Sequence, residues 1–318
     1  MRGIAHVGAL AALEGHGYEF RRAAGASAGA IVAAFTAAGV SPARMADLMH
    51  HEVDYSQFRE ARGLARLGLG GRLAAIVRQN GAFEGDRLRD WLHGALKRHA
   101  GVETFGDLRL PPDPDGAPLL PDEAYRLVVV VADISLGQLV HLPWDYRRLY
   151  GLDPDRQLIA DAIRASTSIP FFFKPARLRW QGGLESHLVD GALVSDFPVG
   201  IFDRGDGRPP RWPTFGVKLS LPRSEATLAH PVSGLHSFAT ALFETAVGGN
   251  DQAHLADPCV ASRTIFVDNL GIPATNFDLS AGQRTALFDS GRDAAERFLE
   301  RWSWESYLSE CRRADRSP

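Results

Sequence analysis

Two short motifs place reactive side chains beside glycines. In the first, GASAG, Ser27 lies between Gly25 and Gly29 and is followed by an alanine-rich run. A glycine-flanked serine that opens a helix is typical of a nucleophile elbow, a sharp turn that holds the hydroxyl above a sheet. The N–H groups and partial positive charge of the helix N-terminus would stabilise an oxyanion. The pattern predicts that Ser27 attacks a carbonyl group, with the N–H of Ala28 as an oxyanion donor.

The second motif is VDGALVSDFP, in which Asp190 ends a predicted strand and Gly191 follows it. Open α/β sheets carry their functional groups at the carboxyl ends of strands. Gly191 permits a tight turn that directs the carboxylate back over the sheet. The alternative interpretation is an ordinary Asp-Gly turn with no chemical role. We favour Asp190 as the general base because the elbow needs a base and no histidine is well placed to be one.

A serine-aspartate-histidine hydrolase is the main alternative to this two-residue site. In such enzymes several strands and an oxyanion loop precede the nucleophile. Only one helix and one short strand have room to precede Ser27. His236 and His254 follow Asp190 in the right order, but both fall on helical patterns that face solvent. A histidine-containing triad is therefore disfavoured.

The surrounding pattern predicts the elements that must position these residues. The β-branched run LVVVVA at 127–132 is typical of a strand covered on both faces. Apolar periodicity predicts helices at about 3–14 and 287–299, and the alanine-rich run after the elbow predicts a buried helix. Because strands alternate with helices along the chain, we expect an α/β fold with a mostly parallel open sheet and helices on both faces.

Composition narrows the function classes. The 318 residues are 45% hydrophobic and 23% charged with a net charge of −3, so a nucleic-acid partner is not expected. We find neither an apolar run of bilayer-spanning length nor an acidic cluster suited to calcium. Cys259 and Cys311 are too few for a disulfide framework and fit a reducing compartment or two inert thiols. These features predict a cytoplasmic protein without metal or organic cofactor.

Together the motifs resemble the patatin-like phospholipase family. The resemblance extends in order from Arg2 to about Leu299 and is carried by RGIAHVGALAALEGHG, AAGASAGAIVAA, VVVADISLGQLV, AIRASTSIPFFF and LVDGALVSDFPV. It implies a three-layer α/β sandwich in a single domain over residues 1–318. The core would occupy about 2–200, with strands and helices of about 211–310 packed on it.

The resemblance also implies the chemistry. In that family a serine and an aspartate hydrolyse acyl esters of lipids without a histidine, and Ser27 and Asp190 match these two positions. The implied substrate is a lipid or phospholipid acyl ester, cleaved through an acyl-enzyme with no cofactor. Acyl transfer to another alcohol stays open, because the acyl-enzyme does not dictate its acceptor. A different class, a non-catalytic lipid-binding or regulatory homologue, also stays open.

One departure from the family pattern concerns the oxyanion hole. Family members begin with an apolar strand and a glycine-rich loop, and only Arg2 and Gly3 match the end of that loop here. Either translation starts upstream of Met1, which we favour, or this is a shortened and impaired copy. The oxyanion donors expected in this chain are Gly3, Arg2 and Ala28. Loss of one donor typically costs roughly 10²–10³ in rate, so this pattern predicts weak activity.

Three further expectations concern the surroundings of the site. Asp196 stands where family members often carry asparagine, and like-charge repulsion with Asp190 would raise one of the two pKa values. An apolar pocket around Asp190 could be built from Leu193 and the phenylalanines at 171–173, although plain core packing explains those rings equally well. The Arg- and Leu-rich segment 58–77 could make peripheral membrane contact, although a solvated amphipathic helix is the favoured interpretation.

Overall fold

A computed structural model describes residues 2–52, 58, 81–112, 119–194, 197, 199–206, 208–219, 238, 241, 242, 245, 257–273, 276 and 278–311. The helices are α1 (Ile4–Gly15), α2 (Ala28–Ala37), α3 (Pro42–Asp47), α4 (Asp86–Ala100), α5 (Trp144–Tyr150), α6 (Ile159–Ser166), α7 (Pro258–Ala261), α8 (Ala281–Leu299) and α9 (Trp304–Cys311). The strands are β1 (Ala23–Gly25), β2 (Gly81–Phe83), β3 (Leu127–Asp133), β4 (Gln138–Leu142), β5 (Phe171–Phe173), β6 (Ala176–Arg179), β7 (Glu185–Asp190), β8 (Gly216–Leu219) and β9 (Thr264–Val267).

Strand β3 is the centre of the main sheet, and all seven of its residues are buried. Along one edge it pairs with β4 in the antiparallel sense. Its other edge is shared by two strands: β1 runs parallel and ends with Gly25 opposite Val129, while β7 runs antiparallel and ends with Asp190 opposite Val131. Strands β1 and β7 therefore run toward each other, and their carboxyl ends meet beside Val130.

The sheet is mixed, so the expectation of a mostly parallel sheet is wrong, whereas the α/β fold class is confirmed. Within the described residues of the main sheet, β1–β3 is the one parallel pair, and β3–β4, β3–β7 and β6–β7 are antiparallel. For β3–β4 and β6–β7 the reason is the length of the connections. Residues 134–137 join β3 to β4 and 180–184 join β6 to β7, and such turns are too short for the crossover that parallel strands require.

Helix α1 packs against α8 at a very short distance, because each helix presents a glycine to the backbone of the other. A Cβ on Gly8 would lie 1.9 Å from the carbonyl oxygen of Phe288, and a Cβ on Gly291 would lie 1.8 Å from that of Ala5. These two positions therefore accept only glycine at this separation of the helices. The contact holds the C-terminal α8 against the helix that leads from Gly3.

Cys259 in α7 and Cys311 in α9 form a disulfide bond across 52 positions of sequence. The expectation of two inert free thiols is therefore wrong, and the inference of a reducing compartment loses its support. The sequence pattern missed the bond because it did not predict that α7 and α9 are neighbours.

Several sequence expectations lie outside the described residues. They are the segment 58–77 apart from Phe58, the side chain of Asp196, and both His236 and His254. Within the part of the chain that is described, none of the helices combines the length and hydrophobicity needed to cross a bilayer.

The α1–α8 contact yields a stability prediction. Gly8→Ala inserts a methyl group into the backbone of α8 and should lower the free energy of unfolding by about 1–3 kcal/mol or more. Gly15→Ala is the matched control, because a Cβ at this last residue of the same helix meets nothing within 4 Å. It should be neutral or stabilising by up to about 1 kcal/mol. Both free energies are measured by urea unfolding. Equal values for the two variants would contradict the close packing of α1 on α8.

The disulfide yields a second prediction. Replacing both cysteines, Cys259→Ser with Cys311→Ser, should lower stability by about 2–4 kcal/mol, because the crosslink restricts the unfolded chain. Dithiothreitol should lower the melting temperature of the wild type and leave that of the double variant unchanged. Two titratable thiols in the denatured, unreduced protein would contradict the bond.

Candidate functional site

Ser27 lies at the junction of β1 and α2 in a conformation rare for any residue except glycine. Its backbone angles are φ 53° and ψ −129°, and such a conformation typically costs about 1–3 kcal/mol. Gly25 makes the turn possible, since a Cβ there would lie 2.4 Å from backbone atoms of Gly29. A Cβ on Gly29 itself would meet only the Nε2 atom of His6 at 3.9 Å, so packing does not demand the second glycine of the motif.

Asp190 is fully buried at the end of β7 and faces Ser27. The Ser27 hydroxyl donates a hydrogen bond to Asp190 Oδ2 at 2.6 Å, and the N–H of Ala192 donates to Oδ1 at 2.9 Å. The turn after Asp190 requires glycine, because a Cβ on Gly191 would lie 2.3 Å from the carbonyl oxygen of Val130. The structure thus brings together Ser27 and Asp190, which are separated by 163 positions in sequence.

The environment of Asp190 changes its acidity. Burial raises the pKa of its carboxyl from 3.8 to about 7, although the hydrogen bonds from Ser27 and Ala192 act in the opposite direction. Burial dominates because it removes the water that stabilises the charged form. A carboxyl with a pKa of about 7 can both accept and release a proton at neutral pH.

Of the three residues expected to form the oxyanion hole, Gly3 and Ala28 lie side by side, and the Arg2 side chain points elsewhere. Ala28 is the first residue of α2, and its N–H has no acceptor within the described residues. Gly3 is buried beside it: a Cβ on Gly3 would lie 3.4 Å from the Ala28 oxygen. The Arg2 guanidinium donates to the carbonyl oxygen of Ile272 at 3.3 Å, and the expected role of the Arg2 backbone N–H stays a prediction. Gly3 and Ala28 are therefore adjacent, and the Arg2 side chain contacts the C-terminal segment.

A cavity adjoins Gly3 and Ala28. It is small, with a volume of about 10 Å³ that would hold roughly one water molecule, and its lining is almost entirely apolar. It is lined by Gly3, Ile4, Ala28, Ile31, Met49, Phe58 and Trp91. The Phe58 and Trp91 rings, with centroids 5.9 Å apart, form an aromatic wall. Sequence alone does not connect these residues with Ser27, because they come from separate segments with ordinary core periodicity.

The phenylalanines considered for a pocket around Asp190 have a different role. Phe172 and Phe173 are buried and pack on Phe83, with ring centroids 4.9 and 6.4 Å away. Phe171 is exposed, and Leu193 is partly buried against the core. Core packing, the alternative interpretation, therefore accounts for Phe172 and Phe173.

Histidine side chains and clusters of metal ligands are the other groups in the described part of the chain that could take part in catalysis. No histidine there hydrogen-bonds to Ser27 or Asp190. The same residues contain no group of three or more His, Cys, Asp or Glu side chains arranged to hold a metal ion.

This chain is similar in sequence and in fold to known proteins. The family model for patatin-like phospholipase matches residues 1–203, which include both Ser27 and Asp190. The uncharacterized protein YqhO of Bacillus subtilis (strain 168) is 32% identical over 308 residues, covering 96% of each protein. The solved structure of VipD from Legionella pneumophila matches with a TM-score of 0.49 and 15% identity, covering 94% of this chain and 65% of the VipD chain. On the match to the family model over 203 of its 318 residues, this chain belongs to the patatin-like phospholipase family, whose members are generally lipid hydrolases.

Proposed function

We propose that this protein is a serine hydrolase that cleaves acyl esters of lipids through a dyad of Ser27 and Asp190. The observation that supports the proposal most is the 2.6 Å hydrogen bond from the Ser27 hydroxyl to the buried Asp190 carboxylate. A nucleophile needs a base within such a distance of the proton it loses. Family membership supports the choice of a lipid ester as substrate.

The first half of the reaction forms an acyl-enzyme. Ser27 Oγ attacks the ester carbonyl carbon while its proton moves to Asp190 Oδ2. The negative charge then lies on the carbonyl oxygen, where the N–H of Ala28, and that of Gly3 beside it, would donate hydrogen bonds. Collapse of this intermediate breaks the carbon–oxygen bond to the alcohol. Asp190 returns the proton to the departing alkoxide, and the acyl group stays on Ser27.

The second half releases the acid. Asp190, ionised again, accepts a proton from a water molecule, whose oxygen attacks the acyl carbon. The resulting intermediate expels Ser27 Oγ, which recovers its proton from Asp190. The raised pKa of Asp190 suits both directions, because a base with a pKa near the working pH both accepts and donates efficiently.

The apolar lining of the cavity suits the acyl chain of a lipid substrate of the phospholipase A, lysophospholipase or carboxylesterase type. Because the cavity has room for only about one water molecule, its side chains would have to move apart to admit the chain. Its walls contain Gly3 and Ala28, so an acyl chain bound there would have its carbonyl group beside the proposed oxyanion donors. Burial of the chain against Trp91 and Phe58 would contribute about 0.8 kcal/mol per methylene. We further propose that the protein meets its substrate by peripheral contact with a lipid surface.

The dyad is tested by two substitutions. Ser27→Ala and Asp190→Asn should each lower hydrolysis of a p-nitrophenyl acyl ester by roughly 10³-fold or more, because the two residues act as one unit. Asp161→Asn is a matched control, since this exposed carboxylate pairs with Arg89 on the surface. It should keep full activity. If ester hydrolysis by the wild type does not depend on Ser27, the proposed enzymatic function is contradicted and a non-catalytic lipid-binding homologue is favoured.

The pH dependence tests the role of Asp190. A base must be ionised, so kcat/KM should rise about tenfold per pH unit below pH 7 and level off above it, with a midpoint of about 7. The measurement uses an ester whose leaving group does not titrate between pH 5 and 9. A rate independent of pH over this range, or one with a midpoint near 4, would contradict a buried Asp190 as the base.

A further inference from the structure

Ser166, the last residue of α6, is completely buried, and its hydroxyl both accepts and donates a hydrogen bond. Its oxygen accepts the N–H of Ser27 at 3.0 Å, and its proton is donated to the carbonyl oxygen of Val130 at 2.7 Å. The direction of both bonds is unambiguous, because a peptide N–H only donates and a carbonyl only accepts. One side chain therefore links the nucleophile elbow to the central strand.

The link ends at the carbonyl group of Val130, and this group also packs against the turn that follows Asp190. Val130 lies between the residues opposite the ends of β1 and β7. Its carbonyl oxygen is the atom that excludes a side chain at Gly191, directly after Asp190. The Ser166 hydroxyl thus ties the Ser27 peptide to the same carbonyl group against which the Asp190 turn is packed.

A second link runs from the same segment to the base. The carbonyl oxygen of Ser168 accepts the N–H of Asp190 at 3.0 Å. The Ser168 hydroxyl is held in turn by the buried guanidinium of Arg164, and it donates to the Arg164 carbonyl at 2.9 Å. Ser166 therefore contacts the backbone of Ser27, and Ser168 contacts the backbone of Asp190. This segment belongs to AIRASTSIPFFF, one of the stretches that carry the family resemblance, and the sequence alone predicts no role for it.

We propose that Ser166 is a positioning residue whose hydroxyl holds the Ser27 peptide in its left-handed conformation and so sets the distance from Ser27 Oγ to Asp190 Oδ2. The inference rests on the proposed function of the dyad. Without the hydroxyl, the Ser27 N–H would lose its acceptor and the strained residue would relax away from the carboxylate. A misplacement of about 1 Å can cost about 10²-fold in rate.

The test is the rate of covalent labelling by a fluorophosphonate probe, with the labelled peptide identified by mass spectrometry. Ser166→Ala should reduce the labelling rate at Ser27 by about 10- to 100-fold. Ester hydrolysis should fall in kcat by a similar factor, with KM changed by less than about threefold. The midpoint of the pH profile should move above that of the wild type, because the hydrogen bond from Ser27 opposes the rise in the pKa of Asp190.

Two further variants separate positioning from plain stability. Thr167→Val removes the neighbouring buried hydroxyl, which donates to the carbonyl oxygens of Ile163 and Arg164 and makes no hydrogen bond to Ser27 or Asp190. It should lower the melting temperature, because a buried hydrogen bond is lost, while kcat stays within about threefold of the wild-type value and the midpoint of the pH profile does not move. Ser166→Cys fills the same space with a much weaker hydrogen-bonding group. It should be impaired like Ser166→Ala, and it provides the comparison if the alanine variant does not fold.

The outcomes are distinct. If the probe labels Ser27 in the wild type, and Ser166→Ala and Ser166→Cys are labelled at the same rate as the wild type, this inference alone is overturned. Recovery of the wild-type rate in Ser166→Cys would also overturn it, because volume rather than the hydrogen bond would then matter. A wild type that shows no labelling at Ser27 would overturn the proposed function and this inference with it.

Discussion

The site depends on the way two strands share one edge of β3. Strand β1 approaches Val130 from one direction and β7 from the other, so the residues that follow or end them must meet at that point. Ser27 reaches this point through a strained turn, and Asp190 reaches it as the last residue of its strand. A purely parallel arrangement would point both carboxyl ends the same way. The antiparallel direction of β7 is therefore what sets the two side chains face to face.

This arrangement has energetic costs that the rest of the fold must offset. Ser27 has a positive φ, and a carboxyl group is held away from water in the core. Gly25 and Gly191 lie where backbone approaches backbone too closely for any side chain. The surrounding bonds resist relaxation: the Ser166 hydroxyl holds one peptide and the Ser168 carbonyl the other. Burial of the Asp190 carboxyl is costly, and it is also what raises the pKa of this group to about 7, the value that suits the base proposed here.

The sequence predicted features that depend on local chemistry. The turn at Ser27, the strand ending at Asp190 and the buried run at 127–132 follow from residue type and short spacing. It could not predict strand direction, because a strand covered on both faces has the same apolar composition in either sense. Features joined only by tertiary packing were missed for the same reason. They are the Cys259–Cys311 bond, the aromatic wall of Trp91 and Phe58, and the bridge made by Ser166.

The most direct measurement of the central claim is the location of the acyl group during turnover. The protein would be quenched in acid while it hydrolyses a p-nitrophenyl ester and then digested for peptide mass mapping. The account predicts an acyl group on Ser27 in the wild type and none in Asp190→Asn, because the serine needs the carboxylate to lose its proton. An acyl group on another residue, or equal acylation of Ser27 in both proteins, would contradict it.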